Sequence, residues 1–423
     1  MMDPERVQHG AGSPQTPPMG QARSLRIIIV HNADFPVTAG VAPRVDVADV
    51  ANAARDLVAA LEKSGVVAEL RVLPDDPAAL GQFVAALASD GPDMVFNLCE
   101  SLGGHARHET VFPSLLELAG VPYTGSAPLG LGLALHKDVA RRLLCAAGIP
   151  TPPGSAVSTI ACDLELGWPL MVKPSREDAS VGISARSVVA NRAELEVQLG
   201  VMLAAHGAPI LVERFIVGRE IYVSLVGNAP DGPEAVGLHE MDFSKLPSGL
   251  PHIVCYKAKW DLDSAECLGT NSVPARLDDA TRARLVDAAR AAFLALGLRD
   301  YGRVDLRLDD SGQPYVIDVN PNCDLSNGAG MCRAASFDGL GYPELVRQIL
   351  DTALARVARE SRSHASGAPR VSCATPVVDV AAVSTPDGRG SDPGAGVAGR
   401  PVLASGRRGG ARTGGRGAGQ SRR

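Results

Sequence analysis

The chain has 423 residues, of which 45% are hydrophobic and 21% are charged, and its formal net charge is −6 at pH 7. At about 150 residues per domain, this length predicts two or three domains with a sizeable buried core. The composition excludes a collagen, a coiled coil and a disulfide-rich mini-protein, and no aliphatic run approaches the roughly 20 residues that a membrane helix needs.

The two ends of the chain differ in composition from the part between them. Residues 1–24 are polar and have no apolar stretch of the kind found in signal peptides, so we expect a disordered segment that does not direct secretion. Residues 361–423 contain ten Arg, three Asp and no Lys, Glu or aromatic residue, which predicts a disordered tail. The remainder is acidic, which argues against general nucleic-acid binding by the folded part.

Cysteine usage indicates a reducing compartment. Eight cysteines occur without a CxxC pair and without the spacing of metal ligands. We therefore expect reduced thiols and a cytoplasmic protein, with Cys323 as an ordinary packed thiol.

Strand-length apolar segments alternate with helical patterns in the first part of the folded region. The predicted strands are 25–30, 66–73 and 93–98, and the predicted helices are 47–64, 78–88 and 109–119. This alternation predicts a doubly wound parallel sheet, which we assign to an N-terminal α/β domain at residues 25–126. Ligands of such sheets bind beyond the carboxyl ends of the strands.

Short strands with turn signals between them follow a helix at 136–147. The predicted strands are 170–172, 183–189, 210–216, 220–226, 302–308 and 315–319, and helices are predicted near 192–205, 278–296 and 343–359. This second pattern is typical of an α+β body with antiparallel hairpins.

The strongest local motif is a pair of alternating strands around a turn at Ser311-Gly312. Folding the segment about this turn places Asp305 opposite Asp318 and Arg303 opposite Asn320, because strand side chains alternate between faces. Directly opposed carboxylates repel each other, and a divalent cation would turn that repulsion into coordination. Two carboxylates and one amide oxygen suit Mg²⁺. A solvated hairpin with surface ion pairs is the alternative interpretation.

Three further segments carry residues suited to a nucleotide. Lys173 ends a strand before a loop of small and polar residues, and a lysine in that position can hold phosphate groups. Two strands meet at Gly218, where the connector could pair with an adenine edge and the carboxylate of Glu220 could bind ribose. Lys257 and Lys259 share one face if their segment is extended. Each segment, taken alone, also fits ordinary surface structure.

The order of these segments resembles the ATP-grasp superfamily, and within it D-alanine–D-alanine ligase and its relatives. The order is Lys137, Lys173-Pro174, Glu213 to Glu220, Lys259, Arg303 to Asp305 and Asp318 to Asn322. Only six of the 41 basic residues are lysines, so their presence in three of these segments strengthens the resemblance. The resemblance covers about residues 25–358 and implies an ATP-grasp domain at 127–360, divided into two subdomains near residue 215.

The resemblance also implies a chemistry, in which ATP and Mg²⁺ activate a carboxylate as an acyl phosphate and an amine displaces the phosphate. The implied ATP contacts are Lys137, Lys173 and Lys259 to phosphates, Glu213 to Ile216 around adenine, and Glu220 to ribose. The implied metal ligands are Asp305, Asp318 and Asn320, and Arg303 would stabilise the oxyanion of the tetrahedral intermediate. The expected substrates are small carboxylates and amines, such as amino acids or peptides.

Several positions depart from the D-alanine–D-alanine ligase pattern. Asp318 stands where Glu is usual, so binding of one or of two metal ions stays open. Ala179 replaces a serine of the lid, and Trp260 replaces the tyrosine that this serine contacts.

The usual glutamate for the substrate amine is also missing from the first loop, and the candidate replacements are Asp34, Glu100 and Glu109. We therefore predict that D-alanine is not the preferred substrate. Two alternatives remain: a ligase that joins other amino acids or peptides, and an ATP-binding protein without ligase turnover. The oligomeric state also stays open, with a homodimer as one option.

Overall fold

A computed structural model of the chain describes residues 24–32, 45–162 and 164–365, all within one compact unit. The predicted disordered ends lie outside the described residues, except for Ser24 and residues 361–365. The last helix includes 361–365, so the described helix continues five residues into the predicted tail. Asp34 also lies outside the described residues. In the part of the chain that is described, no helix combines the length and the apolar character needed to cross a membrane.

The N-terminal region is a three-stranded parallel sheet with helices on both faces, as predicted. Its strands are β1 (Arg26–Asn32), β2 (Val67–Leu73) and β3 (Met94–Asn97), in the order β2-β1-β3. Its helices are α1 (Val45–Lys63), α2 (Pro77–Asp90) and α3 (Val111–Ala119). Alternation along β1 sends Ile27 and Ile29 into one hydrophobic cluster and Ile28 and Val30 into another.

Two helices, α4 (Pro128–Leu135) and α5 (Lys137–Ala146), lead into a four-stranded antiparallel sheet. Its strands are β4 (Gly154–Val157), β5 (Leu170–Pro174), β6 (Val188–Val189) and β7 (Ile210–Arg214), in the order β4-β7-β5-β6. Helix α6 (Arg192–His206) packs on this sheet through Leu195, Leu199 and Met202.

A second antiparallel sheet has five strands in the order β10-β9-β8-β11-β12. The strands are β8 (Arg219–Asn228), β9 (Gly232–Asp242), β10 (Asn271–Pro274), β11 (Asp300–Leu308) and β12 (Pro314–Asn320). The helices of this region are α7 (Tyr256–Trp260), α8 (Ala265–Gly269), α9 (Asp279–Ala295), α10 (Gly330–Phe337) and α11 (Tyr342–Ala365). The chain is therefore α/β and then α+β, as predicted, while the exact domain boundaries stay predictions.

Two local expectations differ from the structure. The predicted strand at 183–189 is extended only at Val188–Val189, because Ser184 and Ser187 cap a short 3₁₀ turn at Ala185–Ser187. The segment 256–260 is helical rather than extended, in keeping with the high helix propensity of its Lys and Ala residues. Residues two apart point in different directions on a helix, so Lys257 and Lys259 do not share a face.

A buried ion pair ties the last helix to the sheet that carries the predicted metal ligands. The guanidinium of Arg356 donates to both carboxylate oxygens of Asp300 at 2.9 Å and to the carbonyl oxygen of Tyr123 at 2.7 Å. The other partners of Asp300 are the amide of Asn228 and the backbone N–H of Gly125. This network joins α11, β11 and the end of the parallel-sheet region, and so fixes the positions of these elements around the candidate site.

Candidate active site

The hairpin of β11 and β12 has the predicted register. Asp305 lies opposite Asp318 and Arg303 lies opposite Asn320, and a β-bulge follows Asp305. The turn contains Gly312 at a φ of +80°, a backbone conformation that glycine adopts without strain. The hairpin prediction is therefore confirmed in its geometry.

Each of the two opposed carboxylates is paired with a cation. Asp305 accepts hydrogen bonds from Arg303 Nε at 2.7 Å and Nη2 at 3.0 Å, and Asp318 accepts one from Lys137 Nζ at 2.8 Å. Burial alone would raise the pKa of Asp318, but the charges of Lys137 and Lys173 outweigh it, so this pKa is lowered. Burial likewise opposes the charge on Lys137, yet Asp318 and Asp178 raise its pKa.

The oxygen donors on this hairpin fit a hard divalent cation. Asn320 Nδ2 donates to Asp305 Oδ2 at 3.2 Å, so a flip of this amide would present its oxygen beside the carboxylate of Asp305. Among the described residues, no cluster of three or more His, Cys, Asp or Glu is arranged to hold a metal ion. A metal at Asp305 and Asp318 would therefore need the Asn320 amide, water or ligand oxygens to complete its coordination.

A second ion pair faces the hairpin from the four-stranded sheet. Lys173 Nζ lies 2.8 Å from Glu213 Oε2 and donates to the carbonyl oxygen of Ile317 at 3.0 Å. Arg141 Nε lies 3.7 Å from the other oxygen of Glu213. These contacts link β5 and β7 to β12, so two sheets that are distant in sequence share one cavity.

Glu220 is buried in a third ion pair, whose cationic partner was not among the predicted site residues. Arg307 Nη1 donates to Glu220 Oε2 at 2.8 Å, and Tyr222 donates its hydroxyl to Glu220 Oε1 at 2.7 Å. Burial raises the pKa of Glu220 although Arg307 and Tyr222 oppose the rise. The period-two alternation that placed Arg303 and Asp305 on one face also places Arg307 there, and this signal could have identified it.

The cavity between the sheets has one apolar part and one charged part. Its volume is about 110 Å³. The apolar part is formed by Met171, Ile216, Ile253 and Ile317. The guanidinium of Arg307 lies 4.6 Å from the centre of the Phe215 ring at the edge of this part. An apolar slot beside a buried carboxylate and several cations suits a flat heteroaromatic ring joined to a sugar and phosphates.

A loop at 175–184 covers the cavity and is fastened to the segment 253–260. Trp260 Nε1 donates to the carbonyl oxygen of Ala179 at 3.1 Å, and Ser180 Oγ donates to the carbonyl oxygen of Val254 at 2.9 Å. Both Ala179 and Ser180 have positive φ angles, 52° and 61°, which is uncommon for residues other than glycine. The loop is thus held to the segment 253–260 by two hydrogen bonds, one at each of these two residues.

Two charged residues carried by these covering segments reach the ion pairs below. Asp178 Oδ1 lies 3.0 Å from Lys137 Nζ, a contact that joins residues 41 positions apart and that the sequence did not reveal. Lys259 lines the cavity, where desolvation and the positive charge of Arg303 lower its pKa.

The acidic residues predicted to read the substrate differ in their settings. Glu100 is partly buried just after β3, and its backbone N–H donates to Asn32 Oδ1 at 3.2 Å. Glu109 is buried immediately before α3, and its Oε1 accepts a hydrogen bond from Asn322 Nδ2 at 3.0 Å. Asp34, the third of these residues, is not among those described. The structure therefore brings Glu109 to the carboxyl end of the β11–β12 hairpin.

Comparison with known proteins identifies relatives of this arrangement. A family model described as the D-ala D-ala ligase C-terminus matches residues 155–351. The D-alanine–D-alanine ligase of Bacillus anthracis, solved in complex with ATP, has the same fold, with a TM-score of 0.61 and 24% identity. The match covers 80% of this chain and 100% of that chain.

The matches to curated relatives span more than two thirds of each relative's length. An uncharacterized protein, y4sG, of Sinorhizobium fredii is 37% identical over 62% of this chain and 74% of the relative. The D-alanine–D-alanine ligase of Marinomonas sp. is 35% identical over 58% and 74%, and that of Cupriavidus metallidurans is 31% identical over 70% and 85%. The chain therefore belongs to the D-alanine–D-alanine ligase family, whose body has the ATP-grasp fold, and it is an ATP-dependent ligase that forms C–N bonds.

Proposed function

We propose that the protein uses Mg²⁺-ATP to convert the carboxylate of an amino acid or peptide to an acyl phosphate, which a second amino compound then attacks. The observation that carries this proposal is the opposed pair Asp305 and Asp318, with Lys137 and Arg303 bonded to it. Such an arrangement can hold a polyphosphate and a metal ion while it neutralises charge that develops on the transferred phosphoryl group.

Lys137, Lys173 and Lys259 are the proposed phosphate ligands. All three side chains line the cavity, and two of them are paired with carboxylates. A phosphate would either displace these carboxylates or bind the same ammonium groups beside them. A lowered pKa at Lys259 marks an ammonium group whose charge is incompletely compensated, which favours an added anion there.

The base and sugar of ATP are assigned to the apolar end of the cavity. Ile216 contributes apolar surface, and the strand that ends with Glu213 and Arg214 borders the slot. Glu220 keeps lone pairs available beside its bonds from Arg307 and Tyr222, so it can accept hydrogen bonds from ribose hydroxyls. A cavity of 110 Å³ is smaller than the roughly 300–1,000 Å³ usual for ligand sites, so entry of ATP requires the loop at 175–184 to open.

Asp305, Asp318 and Asn320 are the proposed Mg²⁺ ligands. When bound, the ion would act as a Lewis acid that withdraws negative charge from the transferred phosphoryl group. Arg303 already forms a bidentate bond to Asp305 and has its Nη1 group facing Gly330, so it is placed to donate to an oxyanion formed on the activated carbonyl.

The preferred substrate is proposed to differ from D-alanine. Support comes from the contact of Ala179 with Trp260, in which the indole N–H donates to the backbone carbonyl oxygen of Ala179 and no side-chain hydroxyl takes part. Additional support comes from Glu109, which lies on the substrate side of the hairpin. A cytoplasmic location stays a prediction, and a homodimer stays an open option.

A screen of ADP release tests the proposed function. The purified protein is incubated with Mg²⁺-ATP and a panel of L- and D-amino acids and dipeptides. We expect amino-acid-dependent ADP release, with another substrate preferred to D-alanine by at least about tenfold in kcat/KM, or about 1.4 kcal/mol. A preference for D-alanine by the same margin would contradict the substrate proposal. A melting shift with Mg²⁺-ATP but no release with any panel member would instead favour an ATP-binding protein without turnover.

A further inference from the structure

Tyr222 lies on the central strand of the five-stranded sheet, on the face that lines the cavity. Its strand, β8, runs between β11 and β9, so the residue is opposite Asp305 on one side and His239 on the other. It is 7% exposed. Its side chain contacts both Arg303, the proposed oxyanion donor, and Glu220, the proposed ribose ligand. Tyr222 was not among the site residues that the sequence predicted.

The hydroxyl of Tyr222 orients the carboxylate of Glu220. It donates to Oε1 at 2.7 Å, while Arg307 Nη1 donates to Oε2 at 2.8 Å. Burial and the charges of Glu220 and Asp305 raise the pKa of Tyr222 well above its usual range, so the hydroxyl keeps its proton and remains a donor. With one internal donor on each oxygen, the carboxylate is fixed in orientation and still has lone pairs for ribose hydroxyls.

The ring of Tyr222 supports the guanidinium of Arg303. The central carbon of this guanidinium lies 4.9 Å from the ring centre, over a face that attracts cations. Asp305 holds Nε and Nη2, so Nη1, which faces Gly330, is the group left for an oxyanion. His239 packs against the same ring, with the ring centres 5.0 Å apart and the planes at 82°, and so limits movement of the ring.

We propose that Tyr222 is a positioning residue that holds Glu220 and Arg303 at a fixed distance from each other, an inference that rests on the proposed ligase function. The hydroxyl acts on nucleotide binding through Glu220, and the ring acts on the chemical step through Arg303. One side chain thus sets the position of the ribose ligand and of the oxyanion donor. Because the two effects belong to different parts of this side chain, Tyr222→Phe should remove the first and keep the second.

Calorimetric titration with two nucleotides tests the hydroxyl. The nucleotides are ATP and dideoxy-ATP, which lacks both ribose hydroxyls, each with Mg²⁺. The matched control is Tyr123→Phe, since Tyr123 is also buried, donates to Glu117 at 2.8 Å and lies under the guanidinium of Arg299, but does not line the cavity. Tyr222→Phe should weaken ATP binding about three- to tenfold and dideoxy-ATP binding less than about twofold, and the control should match wild type. Equal losses for the two nucleotides, or no loss, would overturn the role of the hydroxyl.

Steady-state ADP release tests the ring, with the preferred substrate from the screen. Tyr222→Phe should keep kcat within about twofold of wild type, whereas Tyr222→Leu should lower kcat at least about tenfold, because loss of an oxyanion donor itself costs about 10²–10³-fold. The control Tyr123→Leu loses the same kind of ring and should keep the wild-type kcat. If a melting curve shows that Tyr222→Leu is unfolded, Tyr222→Met takes its place. A tenfold fall in kcat for Tyr222→Phe, or a wild-type kcat without the ring, would overturn the role of the ring.

The two measurements separate this inference from the proposed function. If wild type releases no ADP with any substrate, the ligase proposal fails, and the nucleotide titrations still decide the role of the Tyr222 hydroxyl. If wild type binds and turns over ATP while Tyr222→Phe binds both nucleotides as wild type does, the proposed function stands and the inference about Tyr222 fails.

Discussion

The hairpin of β11 and β12 differs from the carboxyl edge of the N-terminal sheet in how its carboxylates are paired. On the hairpin, Asp305 is bonded to Arg303 and Asp318 to Lys137. At the carboxyl edge of the N-terminal sheet, the hydrogen bond that the Glu109 carboxylate accepts from the described residues comes from the neutral amide of Asn322. A paired carboxylate already has its counter-charge within the chain, whereas an unpaired buried carboxylate can obtain its counter-charge from a ligand. The comparison suggests that the ATP side is preorganised and that the substrate side is completed by the substrate.

The largest expected effect comes from the hairpin. Asp318→Asn removes a proposed metal ligand and should lower kcat by about 10³-fold or more, because Lewis-acid stabilisation of the transition state amounts to several kcal/mol. Its stability should fall rather than rise, since the buried Lys137 would lose one of its two carboxylate partners. ADP release and urea unfolding measure the two effects. Near-wild-type turnover would contradict a metal role.

The buried pair of Glu220 and Arg307 tests whether pairing on the ATP side also stabilises the fold. Arg307→Ala leaves Glu220 buried without its cation and should cost about 3–5 kcal/mol of unfolding free energy. The matched control is Arg347→Ala on α11, whose pair with Asp351 is exposed and should matter by less than about 1 kcal/mol. Similar costs for the two variants, measured by urea unfolding, would remove the distinction between buried and exposed pairs.

Removing a hydrogen bond of the covering loop should have a smaller effect on turnover. Trp260→Phe keeps the aromatic ring but removes the hydrogen bond to Ala179, so kcat/KM for ATP should fall about three- to tenfold. The control Trp168→Phe changes the other tryptophan, which is 44% exposed, and should leave the kinetics unchanged. Equal kinetics of the two variants would show that this bond does not hold the loop during turnover.

The smallest expected effect is the pH dependence of stability that Glu109 causes, which tests whether this carboxylate is unpaired. The pKa of Glu109 is higher in the folded protein than in the unfolded chain, so the folded state retains its proton longer and stability declines as pH rises above about 4.3, the unfolded value. Glu109→Gln should therefore be more stable than wild type at neutral pH and equal to it in acid, where both side chains are neutral. Melting curves across this range measure the difference. A variant less stable than wild type at neutral pH would indicate a hidden cationic partner.

The hairpin was predictable from sequence because its information is local. Alternation of side chains and a glycine-containing turn determine which residues face each other, and Asp305 does lie opposite Asp318. The bond between Asp178 and Lys137 spans 41 residues, and the contact of Glu109 with Asn322 spans 213, so neither leaves a spacing signal. The helix at 256–260 was not predicted for another reason. Five residues are too few for a helical period to be distinguished from that of an extended strand.

The central claim is that the hairpin forms a joint site for ATP and Mg²⁺, and calorimetric titration with ATP tests it most directly. Wild type and the double variant Asp305→Asn/Asp318→Asn are titrated with ATP in the presence of Mg²⁺ and in the presence of a chelator. Mg²⁺ should tighten ATP binding to wild type by at least about tenfold, or about 1.4 kcal/mol, and should have little effect on the double variant. Equal ATP affinity of wild type with and without Mg²⁺, or an unchanged Mg²⁺ effect in the double variant, would contradict the claim.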